Sequence, residues 1–183
     1  MRLIHTAPLA VALVLAACGG DADTDGDGVV SGDEFAAEAE GAVRMQPGQY
    51  RATYEQLEFD VPGATEAMKQ QMQAMMGGAA EVARPITYCL TPEDAAANGA
   101  EEMAKSMAEG DCTVSRFDVA GGAVSADMRC SGTDGVTAHV VMDGQMTSTS
   151  STMTMTSEMD MGAMGKVRLK TRVSAERIGD CPA

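Results

Sequence analysis

Residues 112–130 read Cys112-Thr-Val-Ser-Arg-Phe-Asp-Val-Ala-Gly121-Gly122-Ala-Val-Ser-Ala-Asp-Met-Arg-Cys130. Two strand-forming runs, Cys112 to Val119 and Ala123 to Cys130, flank a Gly-Gly pair, which is a β-hairpin signal. The turn brings Cys112 and Cys130 nearly opposite each other, so the spacing predicts a disulfide between them. The chain has five cysteines. With Cys18 assigned to another role below, Cys89 and Cys181 remain and pair by elimination. None of the four sits in a CxxC pair, which argues against a zinc ribbon or a redox motif.

Downstream of the hairpin, Val136, Ala138, Val140 and Met142 alternate, and Asp143-Gly144 reads as another hairpin turn. Thr147 to Ser157 is a Thr/Ser-rich strand with Met153 and Met155 on one face. Val167 to Val173 is the last strand, with Val167, Leu169 and Val173 inward. Its outward residues, Lys166, Arg168, Lys170 and Arg172, suit an exposed edge strand, where charge blocks association. Upstream, Tyr50, Ala52 and Tyr54 share one face, and Leu57, Phe59 and Val61 continue in the opposite phase. That slip near Glu55 predicts a bulge. Ala64 to Met76 is helical, with Met68, Met72, Met75 and Met76 forming an apolar stripe. Ile86 to Leu90 is a short strand. Thr91-Pro92-Glu93-Asp94 starts a helix with a cap, a proline at the first position and acids in the first turn. Gly99 breaks it, and a second piece carrying Met103 and Met107 runs to Gly110. The fold class is therefore α+β, a curved antiparallel meander of about seven strands with two or three short helices. This domain occupies residues 45–183. With 16 Met against three Phe, three Tyr and no Trp, methionine is expected to fill much of its core.

Before this domain, residues 23–35 read Asp-Thr-Asp-Gly-Asp-Gly-Val-Val-Ser-Gly-Asp-Glu-Phe. Side-chain oxygens fall at loop positions 1, 3, 5, 9 and 12: Asp23, Asp25, Asp27, Ser31 and Glu34. Gly28 stands at position 6, where the chain turns sharply, and Val29 at position 7 offers its carbonyl. Val30 at position 8 holds the loop against a neighbour. A hard cation such as Ca²⁺ takes six to eight oxygens, and this spacing supplies them, with Glu34 able to give two. The pattern resembles a single EF-hand loop over residues 23–34. A helix can leave the loop, but Gly19 to Ala22 is too short to enter it as one. A lone, half-framed loop of this kind is expected to bind with a dissociation constant of roughly 10⁻⁴–10⁻³ M.

Arg2 precedes an apolar run from Ala7 to Ala17, too short to span a bilayer and suited to a secretory signal over residues 1–17. The run ends in Leu15-Ala16-Ala17-Cys18, which looks like the lipobox of a bacterial lipoprotein. That resemblance implies cleavage after Ala17, lipidation of Cys18 and attachment to a membrane. Gly19, where an Asp favours inner-membrane retention in Gram-negative lipoproteins, implies an outer-membrane anchor facing the periplasm. Residues 18–44 then form an acidic tether, with eight acids and no Lys or Arg from Asp21 to Glu40. The calcium loop sits within touching distance of the anchor, where a bound ion would stiffen the tether and bridge its acids to lipid phosphates.

Pro47-Gly48-Gln49-Tyr50, Cys89-Leu90-Thr91-Pro92-Glu93, the Cys112/Cys130 hairpin and the closing Arg177-Ile178-Gly179-Asp180-Cys181 resemble small proteobacterial envelope proteins grouped as domain of unknown function 3617. The resemblance covers about residues 45–183. It implies an exported, disulfide-bonded domain and brings no activity, substrate or catalytic residue.

The charges weigh against nucleic acid as a partner: 13 Lys and Arg face 27 Asp and Glu, a net charge of −14. His139 is the one histidine outside the signal segment, on the polar face of a strand. No Gly-x-Ser-x-Gly elbow or phosphate-cradling glycine loop is present. A non-catalytic protein is expected. Two other readings remain. Met159, Met161 and Met164, in a loop, offer thioethers suited to Cu(I); a concave sheet could carry an apolar ligand. The basic strand from Lys166 to Arg172 could meet anionic lipid or lipopolysaccharide.

Overall fold

The computed structural model describes residues 22–75, 85–97, 111–132, 135–162 and 165–182. The signal segment and Cys18 lie outside them. Seven strands form one antiparallel sheet: β1 Gly48–Asp60, β2 Ile86–Leu90, β3 Cys112–Ala120, β4 Ala123–Ser131, β5 Thr137–Met146, β6 Ser150–Asp160 and β7 Lys166–Gly179. Among the described residues three helices accompany it: α1 Gly32–Glu40, α2 Glu66–Met75 and α3 Pro92–Ala97. The order across the sheet is β2-β1-β7-β6-β5-β4-β3. Strands β3 to β7 run as a meander, and the long first strand closes on the last. This is the α+β architecture that the alternation implies. No helix among the described residues is long and apolar enough to cross a membrane.

The two disulfides are Cys112–Cys130 and Cys89–Cys181. Cys112 stands directly opposite Cys130 in the β3–β4 ladder, as the hairpin requires. The bulge in β1 falls between Gln56 and Glu58, so Leu57 is the extra residue. The phase change returns Phe59 to the face of Tyr50, Ala52 and Tyr54. Cross-strand partners share a face, and one face of the sheet is mostly apolar, interrupted by Gln56, Thr171, Ser157 and Ser151. Tyr54 opposes Val173, Val173 opposes Met153, and Ala126 opposes Phe117.

Four expectations need correction. Asp143-Gly144 is not a turn; both residues lie inside β5, with Gly144 opposite Met153. A Cβ on Gly144 would overlap the Met153 Sδ and come within 2.5 Å of the Thr152 carbonyl oxygen. Glycine is there for close approach, and the chain reverses later, at Thr147–Ser150. There Thr147 N donates to the Ser150 carbonyl at 2.8 Å, and Thr147 Oγ1 accepts from the Ser150 and Thr149 amides at 2.9 and 3.2 Å. Second, β7 is no edge strand but stands third across the sheet. Two of its arginines answer acids on the neighbouring strands: Arg168 reaches Glu58 at 3.3 Å and Glu158 at 3.4 Å, and Arg172 reaches Glu55 at 3.1 Å. Third, among the described residues the buried hydrophobics are Ala, Val, Phe and Tyr, whereas Met45, Met128, Met142, Met146 and Met153 pack around them half-buried. Fourth, Met68 on α2 is 53% exposed, so the stripe is not buried there. Met76, and the second helical piece with Met103 and Met107, lie outside the described residues. The helix start at Thr91 is as expected, with Thr91 Oγ1 accepting from the Asp94 amide at 3.1 Å.

The motif residues at the two ends of the chain form a clasp. Arg177 Nε donates to the Pro47 carbonyl at 2.9 Å, and the Arg177 amide donates to the Thr149 carbonyl at 2.8 Å. Arg177 crosses Gly48 so closely that a Cβ there would lie 2.8 Å from its Cζ and 2.6 Å from the Gly179 carbonyl. Tyr50, fully buried, donates from its hydroxyl to the Gln46 carbonyl at 2.7 Å. Burial pushes its phenol pKa up. Its ring stacks on Tyr88, beside the Cys89–Cys181 bridge.

Candidate metal centre

The acidic segment does not hang free of the sheet. Residues 22–40, here termed the strap, lie along the outer edge of β3. The Ala22 amide donates to the Phe117 carbonyl at 3.2 Å, and the Val30 amide to the Val114 carbonyl at 2.8 Å. Glu38 Oε1 accepts from the Val119 amide at 2.8 Å. Ala22, Val30, Phe35 and Ala39 are buried in one cluster with Val114, Phe117, Val124 and Ala126. Phe35 stacks on Phe117 with ring centroids 4.1 Å apart. The break in composition near residue 44 is therefore not a break in packing. Val30, at loop position 8, does have a neighbour to hold: strand β3 stands where a second calcium loop would.

Between the two anchoring bonds the chain winds as the spacing predicts. Gly26 and Gly28 have φ of 75° and 84°, in the left-handed region where glycine carries no Cβ penalty. Asp23 accepts from the Gly26 amide at 2.8 Å and the Gly28 amide at 2.9 Å. Asp27 accepts from the Val29 amide at 2.8 Å. These bonds turn the carboxylates toward one another: ligand oxygens of Asp23, Asp25 and Asp27 all lie within 4.8 Å. Three like charges so close repel, and a divalent cation among them converts that cost into attraction. The side chain of Val29 points to solvent, 40% exposed, consistent with a residue of which only the backbone is used.

Glu34 is placed differently. It does not stand with the three aspartates but closes a capping box on α1. Its carboxylate accepts from the Ser31 amide and hydroxyl, both at 2.9 Å. It also accepts from the Thr24 amide at 2.8 Å and hydroxyl at 2.6 Å. The Thr24 hydroxyl first, then the Ser31 and Thr24 amides, lower its pKa from 4.5 to about 2. Ser31 is the N-cap, and its Oγ accepts from the Glu34 amide at 3.3 Å. To ligate an ion, Glu34 exchanges these bonds for the cation, and being ionised at neutral pH it has no proton to lose. The role of Thr24 had no signal in the sequence beyond its hydroxyl at loop position 2. The residues before Ala22, on which the missing entering helix was read, lie outside the described ones. The donor set fits a hard cation: three carboxylates in place, a carbonyl at Val29, a hydroxyl at Ser31 and a fourth carboxylate within the same loop.

The other predicted groups are less convergent. Met159 is not in a loop but is half-buried near the end of β6; Met161 follows the strand, and Met164 lies outside the described residues. His139 is half-exposed on the polar face, with Nε2 2.9 Å from Asp127 Oδ1. A cleft of about 650 Å³ beside it is lined by Asp60, Arg129, Glu158, Lys166 and Arg168 together with Pro62, Met159 and Val167, so it mixes charged with apolar surface.

No curated protein and no solved structure gave a significant match to the chain. A family model does match, described as a protein of unknown function, DUF3617, over residues 45–181. Both disulfides and the Arg177–Gly48 clasp fall within the matched span, so the matched motifs are those that close the sheet, while the acidic loop lies before it. The chain belongs to the DUF3617 family.

Proposed function

We propose that this chain is a non-catalytic calcium-binding lipoprotein of the cell envelope. On this reading Cys18 carries the lipid, the outer membrane is the anchoring surface and the sheet faces the periplasm. Ca²⁺ is held by Asp23, Asp25, Asp27, the Val29 carbonyl, Ser31 and Glu34. The observation that carries the reading is the convergence of three aspartates around Gly28, in a loop fixed at both ends to β3. The ion would consolidate the docked strap rather than stiffen a free tether. Its contact with anionic lipid, if the anchor is at Cys18, runs through the acidic loop, because Arg168 and Arg172 already answer acids of their own sheet. Calorimetric titration of the purified protein with Ca²⁺, Mg²⁺ and Cu(I) tests the assignment. One Ca²⁺ site is expected, with Cu(I) binding no tighter than a competing chelator. A Ca²⁺ titration without heat removes the reading. Intact mass after membrane extraction tests the anchor: the mass expected is that of residues 18–183 plus acyl chains.

A further inference from the structure

A strand at the edge of a sheet presents unpaired backbone groups that invite another strand. β3 is such an edge, and its outward groups at Val114, Phe117 and Val119 are occupied by the strap. Yet the strap is not a strand. It satisfies β3 with two backbone amides and the Glu38 side chain, and it is held down by Phe35 and Val30. We infer that residues 22–40 guard β3, and that β3, once uncovered, pairs antiparallel with β3 of a second copy of this chain.

The second copy is favoured by the sequence of the strand itself. A two-fold pairing centred on Phe117 sets Arg116 of each copy opposite Asp118 of the other. Opposite charges directly across neighbouring strands stabilise the pair, and the two-fold axis makes the contact twice. In the intact protein Arg116 bonds Asp118 of its own strand, so the pairing exchanges partners without leaving a charge unmatched. The two Phe117 rings would meet on the apolar face, in the space now filled by Phe35. The Phe117 carbonyl and Val119 amide, which now serve the strap, point outward as the ladder needs.

Sedimentation of the full chain at tens of micromolar tests this. The unaltered protein is expected to be monomeric. Phe35→Asp, which places a charge in the buried cluster, should lift the strap and give a dimer with the sheet retained by circular dichroism. Adding Arg116→Glu sets acid against Asp118 twice and should weaken that dimer by about tenfold or more. Should Phe35→Asp fail to fold, Val30→Pro removes the amide that serves Val114 and replaces a buried side chain of the strap, so it must give the same dimer. A folded lifted-strap variant that stays monomeric overturns the inference. So does a dimer indifferent to Arg116→Glu, or an unaltered protein already dimeric through β3.

Discussion

Phe35→Ala separates a docked strap from a free tether. Phe35 is 3% exposed and packs among Val30, Ala39, Val114, Phe117, Val124 and Ala126. Burying a ring of this size removes roughly 150–250 Å² from water, worth about 4–6 kcal/mol at 25 cal/mol per Å² as an upper bound. Truncations of buried Phe cost about 3–5 kcal/mol. The lost stacking on Phe117 is included in that range. For a chain of this length the melting midpoint should fall by about 6–20 °C. Tyrosine fluorescence during urea unfolding is a suitable assay, because Tyr50, Tyr54 and Tyr88 all lie on β1 and β2, at the far end of the sheet from the strap. A loss felt there is a loss to the whole sheet. Amide exchange at Ala22, Val30 and Val119 supplies the local reading, since each donates across the junction. An unchanged urea midpoint together with unchanged protection of those three amides would refute the docking.

The other predictions concern the loop, the sheet and the clasp. Glu34→Gln should lower calcium affinity at least about tenfold while leaving tyrosine fluorescence and disulfide content unchanged; an unaltered isotherm contradicts the ligand set. The folded-state pKa of Glu34 is depressed, so the stability it lends is present above pH 4.5 and disappears as pH falls toward about 2. Protection of the Thr24 and Ser31 amides, measured against their intrinsic exchange rates at each pH, should fall across that window, and protection persisting below it would count against the capping box. Gly144→Ala should cost about 1–3 kcal/mol, since its Cβ meets Met153 and the Thr152 carbonyl; a neutral result in chemical denaturation would show that the two strands can part there freely. Tyr50→Phe should cost about 1 kcal/mol, from the bond to the Gln46 carbonyl, and a stabilised variant would argue that the clasp is not a support.

Much of the sheet was legible because its signals are local. Gly121-Gly122 sets the β3–β4 hairpin, and the phase change along β1 marks a bulge. Cysteine positions then fix which strands meet. What was misread depended on distance in space. Asp143-Gly144 carries a turn signature, and only the Met153 side chain lying across it reveals a strand interior. The true reversal at Thr147 rests on hydroxyl-to-amide bonds that a Thr/Ser-rich strand also offers the eye. Alternating cations on β7 look the same on an edge as beside Glu55, Glu58 and Glu158, and the order of strands decides between them. At the candidate site, the three aspartates and Gly28 followed from spacing. The docking did not, although Val30 and the Phe35/Ala39 pair mark an apolar side of the strap. Composition alone made that stretch look like a solvated acidic linker, because eight acids outweigh four buried apolar residues in any average.

The central claim is that Ca²⁺ binds residues 23–34 in a strap that belongs to the folded sheet. Its most direct test is the melting midpoint in about 10 mM CaCl₂ against excess EGTA, with Glu34→Gln as control. With a dissociation constant near 10⁻³ M, the ion should add about 1.4 kcal/mol, a rise of roughly 3–6 °C, and the rise should vanish in the variant. Superimposable melting curves in calcium and in chelator would contradict the account.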